Sequence, residues 1–291
     1  MDLKRLHYFY TIAKEGQITK AAKKLHINQP PLSKSLKDLE IELGVTLLDR
    51  NHRRLHLTEA GEVLFKKVET LFSHIDDTVL EVKDTGEGYQ GKLAIGCVKT
   101  CFSNIPERLK QFRINYPDIS FKLKEGDSYI LAEHLINRDI DLAIVRLPLD
   151  LEPFESVHLP DENYVAVLPS DWKNESKGNA ISMDELSKHP LMLLHRISGV
   201  GQYEVILEKF KRHGLEPNII LECPDVDMIL DLVNAGVGGS IIPQSTLSNN
   251  KLRNIKTLNI NDEEIQSQSA IIWDKNRYLT KSAKRFIEMF Q

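Results

Sequence analysis

Apart from a break between Val45 and Leu57, apolar residues along this chain keep a helical spacing as far as Val82, and they change to short alternating or continuous runs beyond Gly91. One polypeptide must therefore carry an all-helical head and a strand-rich body. In the first 45 residues three short helices are expected. Leu3, Leu6, Phe9 or Tyr10, and Ala13 share one face of the first, and Gly16 is its stop. Thr19 is placed to cap the second, whose inner side carries Ala21, Ala22 and Leu25. Asn28 is placed to cap the third, which accepts Pro30 and Pro31 in its first turn, carries the stripe Leu32, Leu36, Leu39 and Leu43, and ends at Gly44.

From Val45 to Leu57 the helical period fails, and VTLLDRNHRRLHL reads as two short strands around a polar turn, a wing. Thr58 is then expected to cap a long helix whose Ala60, Leu64, Val68, Leu71, Ile75, Val79 and Val82 make one seam. At about 1.5 Å per residue that helix is roughly 40 Å long, and such a seam calls for a second copy of itself. After DTGEGYQG the runs KLAIGCV, ISFKLKEG, DLAIVRL, YVAVLP, PLMLLH, IILECP, GSIIP and AIIWD each precede a helical segment. The alternation predicts mostly parallel sheets covered by helices, and so many runs predict two lobes with a cleft between them.

Composition narrows the function. With 291 residues, 41% of them hydrophobic and 27% charged, the chain has material for more than one core. Residues 1 to 60 hold eleven Lys and Arg against seven Asp and Glu, whereas the remainder holds 27 against 35, so a basic head suited to a polyanion sits on an acidic body. No run approaches the roughly eighteen apolar residues of a membrane span and the start lacks a secretion-signal core, so a cytoplasmic protein without a membrane partner is expected. Three cysteines without a CxxC pair argue against a disulfide framework or zinc ribbon, and ten histidines without HExxH spacing give no metal site. No nucleophile with its base, phosphate loop or paired carboxylates stands out, and GVGGS at 236–240 has the wrong spacing for a dinucleotide loop, so neither an enzyme nor a cofactor is expected.

A short helix, a tight break and a second helix with a polar outer side is the geometry that enters a major groove. Gln29, Ser33, Lys34 and Lys37 lie opposite the leucine stripe as candidate readers of base edges and phosphates, and Arg50, Arg53 and Arg54 supply fixed charge at the wing. For a ligand, the first body strand ends at Gly96 and a helix is expected to begin near Thr100, where free amide protons and the hydroxyl suit a carboxylate. Lys99 adds positive charge there, and His195, Arg196 and Ser198 follow PLMLLH as candidates to close from the other lobe.

The stretch from Phe9 to Gly61 resembles the N-terminal signature of LysR-type transcriptional regulators. The matching elements are Ala21-Ala22, QPPLS at 29–33, Leu39-Glu40, Leu43-Gly44, Arg50 and LTEAG at 57–61. Gln17, Ile18 and Leu48 depart from the usual pattern, while GCVKTCFSNIP, RDIDLAIVR and VNAGVGGSIIPQS resemble the family's ligand-binding lobes. The resemblance implies an α/β chain with an N-terminal all-α winged helix-turn-helix, residues 1–58, and a linker dimerisation helix and hinge, 59–90. It further implies a two-lobed, periplasmic-binding-protein-like (type 2) effector domain, 91–291, with lobe I about 91–162 and 267–291 and lobe II about 163–266. It implies a homo-oligomer, usually a dimer of dimers, on an interrupted palindrome in double-stranded promoter DNA, with RNA polymerase as a further partner and a small organic acid as the favoured effector.

Gln29, Pro30, Ser33 and Lys34 match family positions that contact operator DNA, and Arg50 and Arg53 match the wing; Thr19 and Pro31 complete the candidate DNA set. Thr100 and Ser128 match positions used for effectors, and Arg146 a cleft-lining position able to hold a carboxylate in two parallel hydrogen bonds. Two alternatives stay open: a regulator of the same family that responds through oxidation of Cys97 and Cys101, and a cytoplasmic solute-binding protein with an inert helical head.

Overall fold

The structure, a computed structural model, describes residues 1–49, 55–87, 91–172, 178–196, 199–248 and 254–291. The chain divides into two compact units, Met1–Lys83 and Asp84–Gln291.

The first unit begins with α1 (Leu3–Glu15), α2 (Ile18–Lys24) and α3 (Gln29–Leu43). Gly16 and Gly44 terminate α1 and α3 in the left-handed conformation, where a Cβ would be strained. Phe9, Ile12, Ala21, Ala22, Leu32, Leu36 and Leu39 are buried together, and Leu6 is buried as expected, whereas Leu3 and Leu43, expected on the inner faces, lie at helix ends and are exposed. The caps differ in detail. Gln17, not Thr19, holds the N-cap position of α2, and Thr19 is its exposed second residue. Asn28 holds the cap position of α3 without a side-chain hydrogen bond, because Pro30 and Pro31 in the first turn have no amide proton to offer.

A minimal wing follows, β1 (Leu48–Asp49) antiparallel to β2 (His56–Leu57), and then α4 (Glu59–Glu87). Residues of the LE and LTEAG motifs tie this wing to the helices. Glu40 Oε1 accepts from the amides of Leu47 at 2.9 Å and Leu48 at 3.3 Å. Thr58 caps α4 as expected: its Oγ1 accepts from the Gly61 amide at 3.0 Å and donates to the Thr46 carbonyl at 2.7 Å. A Cβ on Gly61 would lie 2.0 Å from the Leu47 carbonyl oxygen, so only glycine lets α4 approach this closely.

The 29 residues of α4 correspond to about 43 Å. Its seam is used in two ways. Near the start, Leu64 and Phe65 pack on the helical core, Val68 is buried and Tyr10 stacks on Phe65 at 4.9 Å, whereas Leu71, Val79 and Val82 are 39%, 49% and 67% exposed.

In the second unit, all eight expected runs form strands. β3 (Gly91–Cys97), α5 (Pro106–Asn115), β4 (Ile119–Glu125), α6 (Ser128–Ile136), β5 (Leu142–Arg146) and β6 (Phe154–His158) lead to β7 (Glu162–Pro169). Then come β8 (Ala180–Ile181), α7 (Met183–Ser187), β9 (Pro190–Leu194), α8 (Gln202–Arg212), β10 (Asn218–Cys223), α9 (Val226–Asn234), β11 (Ser240–Pro243), β12 (Ile255–Ile260), β13 (Gln266–Ser267), β14 (Ser269–Asp274) and α10 (Lys281–Glu288).

One sheet has the order β4-β3-β5-β14-β6 and the other β11-β7-β12-β8, with β13 also on β7; β9 pairs with β10 and a single bridge, Leu191 to Gly239, links β9 to the residues before β11. The sheets are mixed rather than mostly parallel. Helical crossovers make β3, β4 and β5 parallel, but β7 and β14 are reached by direct connections without a helix and run antiparallel to their neighbours. Alternation along β5 puts Leu142 and Ile144 in a core with Phe112 and Phe286, and Ala143 and Val145 in a second core with Leu131 and Leu135. The C-terminal ends of β3, β5, β9 and β10 thereby deliver their loops to one cavity.

Candidate DNA-reading face and effector cavity

On α3 Leu32, Leu36 and Leu39 face inward and Gln29, Pro30, Pro31, Lys34 and Lys37 are exposed, with Ser33 half-buried. Side chains that can pair with base edges or phosphates thus share one solvent-facing side of a helix whose opposite side is fixed by packing. Lys20, Lys23 and Lys24 on α2 are also exposed, a basic contribution the sequence reading did not single out, although Lys24 already pairs with Glu15 at 2.5 Å. Arg50, Arg53 and Arg54 of the wing lie outside the described residues.

One cavity of the second unit measures about 350 Å³, at the low end of the range for small-ligand sites. Lys99, Thr100, Arg146, His195 and Arg196 line it together with Asp127, Gln202 and Asp225, while Val98, Ile130, Leu194 and Val226 give it apolar wall. Ser198 lies outside the described residues. Ser128 is fully buried and does not line the cavity; its hydroxyl donates to the Arg146 carbonyl at 2.8 Å and accepts from the Arg146 amide at 3.2 Å, fixing α6 to β5. Nor does it cap α6, because Asp127 does.

Thr100 is corrected too. Residues Lys99–Asn104 form a six-residue 3-10 turn with no α-helical N-terminus to attract an anion, and Thr100 is buried with its Oγ1 accepting from Arg146 Nε at 3.2 Å. A tight turn arises because Pro106, in the first turn of α5, sets where the α-helix can start.

The three cations of the wall differ in what already neutralises them. Arg146, 1% exposed, donates to the Thr100 carbonyl at 2.7 Å and Ser267 Oγ at 2.8 Å, and its Nη2 is ion-paired with Glu162. It is a structural cation with its valence spent, not the free carboxylate clamp expected. Lys99 reaches Asp225 at 2.7 Å and Asp227 at 3.0 Å at the start of α9. Burial works against its ammonium, but the hydrogen bonds it donates to both carboxylates outweigh that and hold its pKa above the ordinary lysine value.

Arg196 is different. Its guanidinium donates to the carbonyls of Arg146 at 2.9 Å, Pro148 at 3.1 Å and Val200 at 2.8 Å, and sits 5.9 Å from the centre of the Tyr129 ring. Among the described residues no carboxylate lies within ion-pair distance of it. Burial lowers its pKa below the usual guanidinium value, and Asp127 opposes that from farther away. His195 is held between Glu222 at 3.1 Å and Glu204 at 3.7 Å, which makes it a poor seat for an anion.

Cys97, Cys101 and Cys223 are free and buried. Burial pushes the thiols of Cys97 and Cys101 well above the ordinary cysteine range, the reverse of what an oxidant-sensing thiolate needs. Among the described residues no His, Cys, Asp and Glu group could hold a metal, and no helix is long and apolar enough to cross a membrane.

Residues 3–62 match the model of the bacterial regulatory helix-turn-helix protein, lysR family, and residues 86–291 match the LysR substrate binding domain. The chain belongs to the LysR family. It is 36% identical to the HTH-type transcriptional regulator BsdA of Bacillus subtilis over 291 residues, covering all of both chains. Its identity to AlsR of the same organism is 31%, over 84% of this chain and 81% of AlsR. In three dimensions it resembles full-length BenM, with a TM-score of 0.59 and 28% identity, covering 99% of this chain and 96% of that one. The fold is likewise that of full-length CbnR in complex with its target DNA, with a TM-score of 0.65 and 24% identity, covering 100% and 99%. This LysR-type protein is a DNA-binding transcriptional regulator with an effector-binding domain, and the curated relatives it matches are transcriptional regulators.

Proposed function

We infer that the regulator senses a small organic acid in the cavity of the second unit, and that Arg196 meets the carboxylate. The observation that carries this is the contrast among the wall cations: Arg146 and Lys99 already hold carboxylates, whereas Arg196 is held only by carbonyls. A guanidinium in that setting gains most from a ligand anion. Lys99, Thr100 and His195 complete the wall around it, and Ser198 belongs to the same candidate set.

The head reads promoter DNA through α3, with Gln29 and Ser33 toward base edges, Thr19, Pro30, Pro31, Lys34 and Lys37 along the backbone, and Arg50, Arg53 and Arg54 from the wing. Residues 1–58 serve as the DNA-binding domain, 59–90 as linker helix and hinge, and 91–291 as the effector domain. Exposed Leu71, Val79 and Val82 support pairing of α4 with a second copy, and two such pairs make a tetramer that contacts RNA polymerase in the cytoplasm. The effector acts by favouring one quaternary state, a coupling typically worth about 1–3 kcal/mol.

Thermal denaturation of the full chain with a panel of small carboxylic acids tests the ligand class. An acid at a hundredfold its Kd should stabilise by about 2.7 kcal/mol, and Arg196→Met should abolish that response while Arg196→Lys keeps part of it. A response that survives Arg196→Met unchanged would place the anion elsewhere.

A further inference from the structure

Three buried side-chain polar atoms among the described residues have no hydrogen-bond partner, and two of them belong to the wall of this cavity. Asp127, at the end of the β4–α6 connection, uses Oδ1 to cap α6, accepting from the amides of Tyr129 and Ile130 at 2.9 Å each. Its Oδ2 is the first unpartnered atom. Gln202, the first residue of α8 and 6% exposed, contributes the second, Oε1. A buried acceptor without a donor is unfavourable until a donor reaches it.

The charges of the wall point the same way. With Asp225 paired to Lys99, the carboxylates of Asp127 and Glu125 have no ion-pair partner among the described residues, as Arg196 has none. Asp127 and Arg196 line the same small cavity, so one small molecule can address both. The wall therefore offers one uncompensated cation and two uncompensated anions around aliphatic surface from Ile130, Leu194 and Val226.

We propose that the effector is an acid that also donates hydrogen bonds, a small amino acid or hydroxy acid, with its carboxylate on Arg196 and its ammonium or hydroxyl on Asp127 Oδ2 and Gln202 Oε1. This rests on the reading of Arg196 given above. The second wall carboxylate, Glu125, favours the ammonium-bearing class of the two.

The test uses acids that share a carbon skeleton and differ in one group: propionate, lactate and alanine, and then 3-phenylpropionate, phenyllactate and phenylalanine. Each is titrated calorimetrically into the full chain. For a skeleton that binds, the donor-bearing members should bind at least tenfold more tightly than the plain acid, and the order of hydroxyl and ammonium identifies the class. Asp127→Asn keeps an N-capping oxygen but presents an amide where the second acceptor was. It should reduce that preference below threefold while leaving the plain acid within threefold of its original affinity. Gln202→Leu, away from the cap, should reduce it independently.

Equal affinity for plain and donor-bearing acids, with both lost in Arg196→Met, would overturn the donor requirement and leave the acid reading standing. Absence of binding by every acid of both series, or binding insensitive to Arg196→Met, would overturn the acid reading and this one with it.

Discussion

Replacing Glu162 with glutamine should destabilise the second unit by about 3 kcal/mol. Arg146 is 1% exposed and Glu162 only 21%, so the pair sits where charges are poorly screened. The Glu162 carboxylate accepts from three donors: Arg146 Nη2, the Ser245 amide at 2.8 Å and the Ser245 hydroxyl at 3.0 Å. A glutamine oxygen can serve one side only, and its NH2 then faces a donor. Removing one partner of a buried ion pair costs about 3–5 kcal/mol, and the partial exposure of Glu162 favours the lower end. For a unit of this size that is a fall in Tm of about 6–12 °C. Scanning calorimetry of the single variants, Glu162→Gln and Arg146→Met, and of the double variant reads the coupling directly. The double should lose at least about 2 kcal/mol less than the sum of the singles, because it removes the orphaned charge along with its partner. A drop below about 2 °C for Glu162→Gln, the behaviour of a surface ion pair, or strict additivity would refute the assignment of Arg146 as a buried, internally neutralised cation.

Gly61→Ala should cost on the order of 3 kcal/mol in the first unit and weaken DNA binding with it, since the new methyl meets the Leu47 carbonyl at the base of the wing; urea denaturation followed by tryptophan-free far-UV dichroism measures it. Gln29→Ala should relax base preference by about 1–3 kcal/mol, whereas Lys37→Ala should weaken binding evenly and lower the salt slope by about 0.9; fluorescence anisotropy on matched and random duplexes separates the two. Glu263 is held below the usual carboxylate range by hydrogen bonds from Lys209 at 2.5 Å and His213 at 3.0 Å. Its folded pKa is depressed, so its contribution to stability is full above the unfolded carboxylate pKa and lost as pH falls through the folded one; Glu263→Gln should narrow its difference from the parent chain steadily as urea midpoints are taken from neutral pH down into that acid range.

What could be read from the sequence was what local rules decide. Gly16, Gly44 and the prolines at 30 and 31 act within a turn of their own positions, so the head's three helices were legible, and the eight apolar runs of the body needed no knowledge of their neighbours. FESVH, at the edge of the first sheet, and IKTLNI, largely half-exposed, were missed because neither position demands a continuous apolar stretch. The parallel expectation failed at β7 and β14, where the decisive fact is the absence of an intervening helix.

In the cavity, Arg196 was found because it follows a recognisable strand. The spending of Arg146 was invisible, because Glu162 and Ser267 lie 16 and 121 positions away and meet it only when the sheets form. Asp127 and Gln202 carried no signal either: an N-cap aspartate and a helix-start glutamine look ordinary until the atoms left without partners are known.

The most direct test of the account is the salt dependence of binding between the full chain and a duplex enriched by it from a random pool. The exposed polar side of α3 and its basic surroundings predict tight binding at low salt and log K falling linearly with log salt at about 0.9 per phosphate neutralised. Failure to enrich any duplex at micromolar protein and low ionic strength, or binding indifferent to salt, would contradict it.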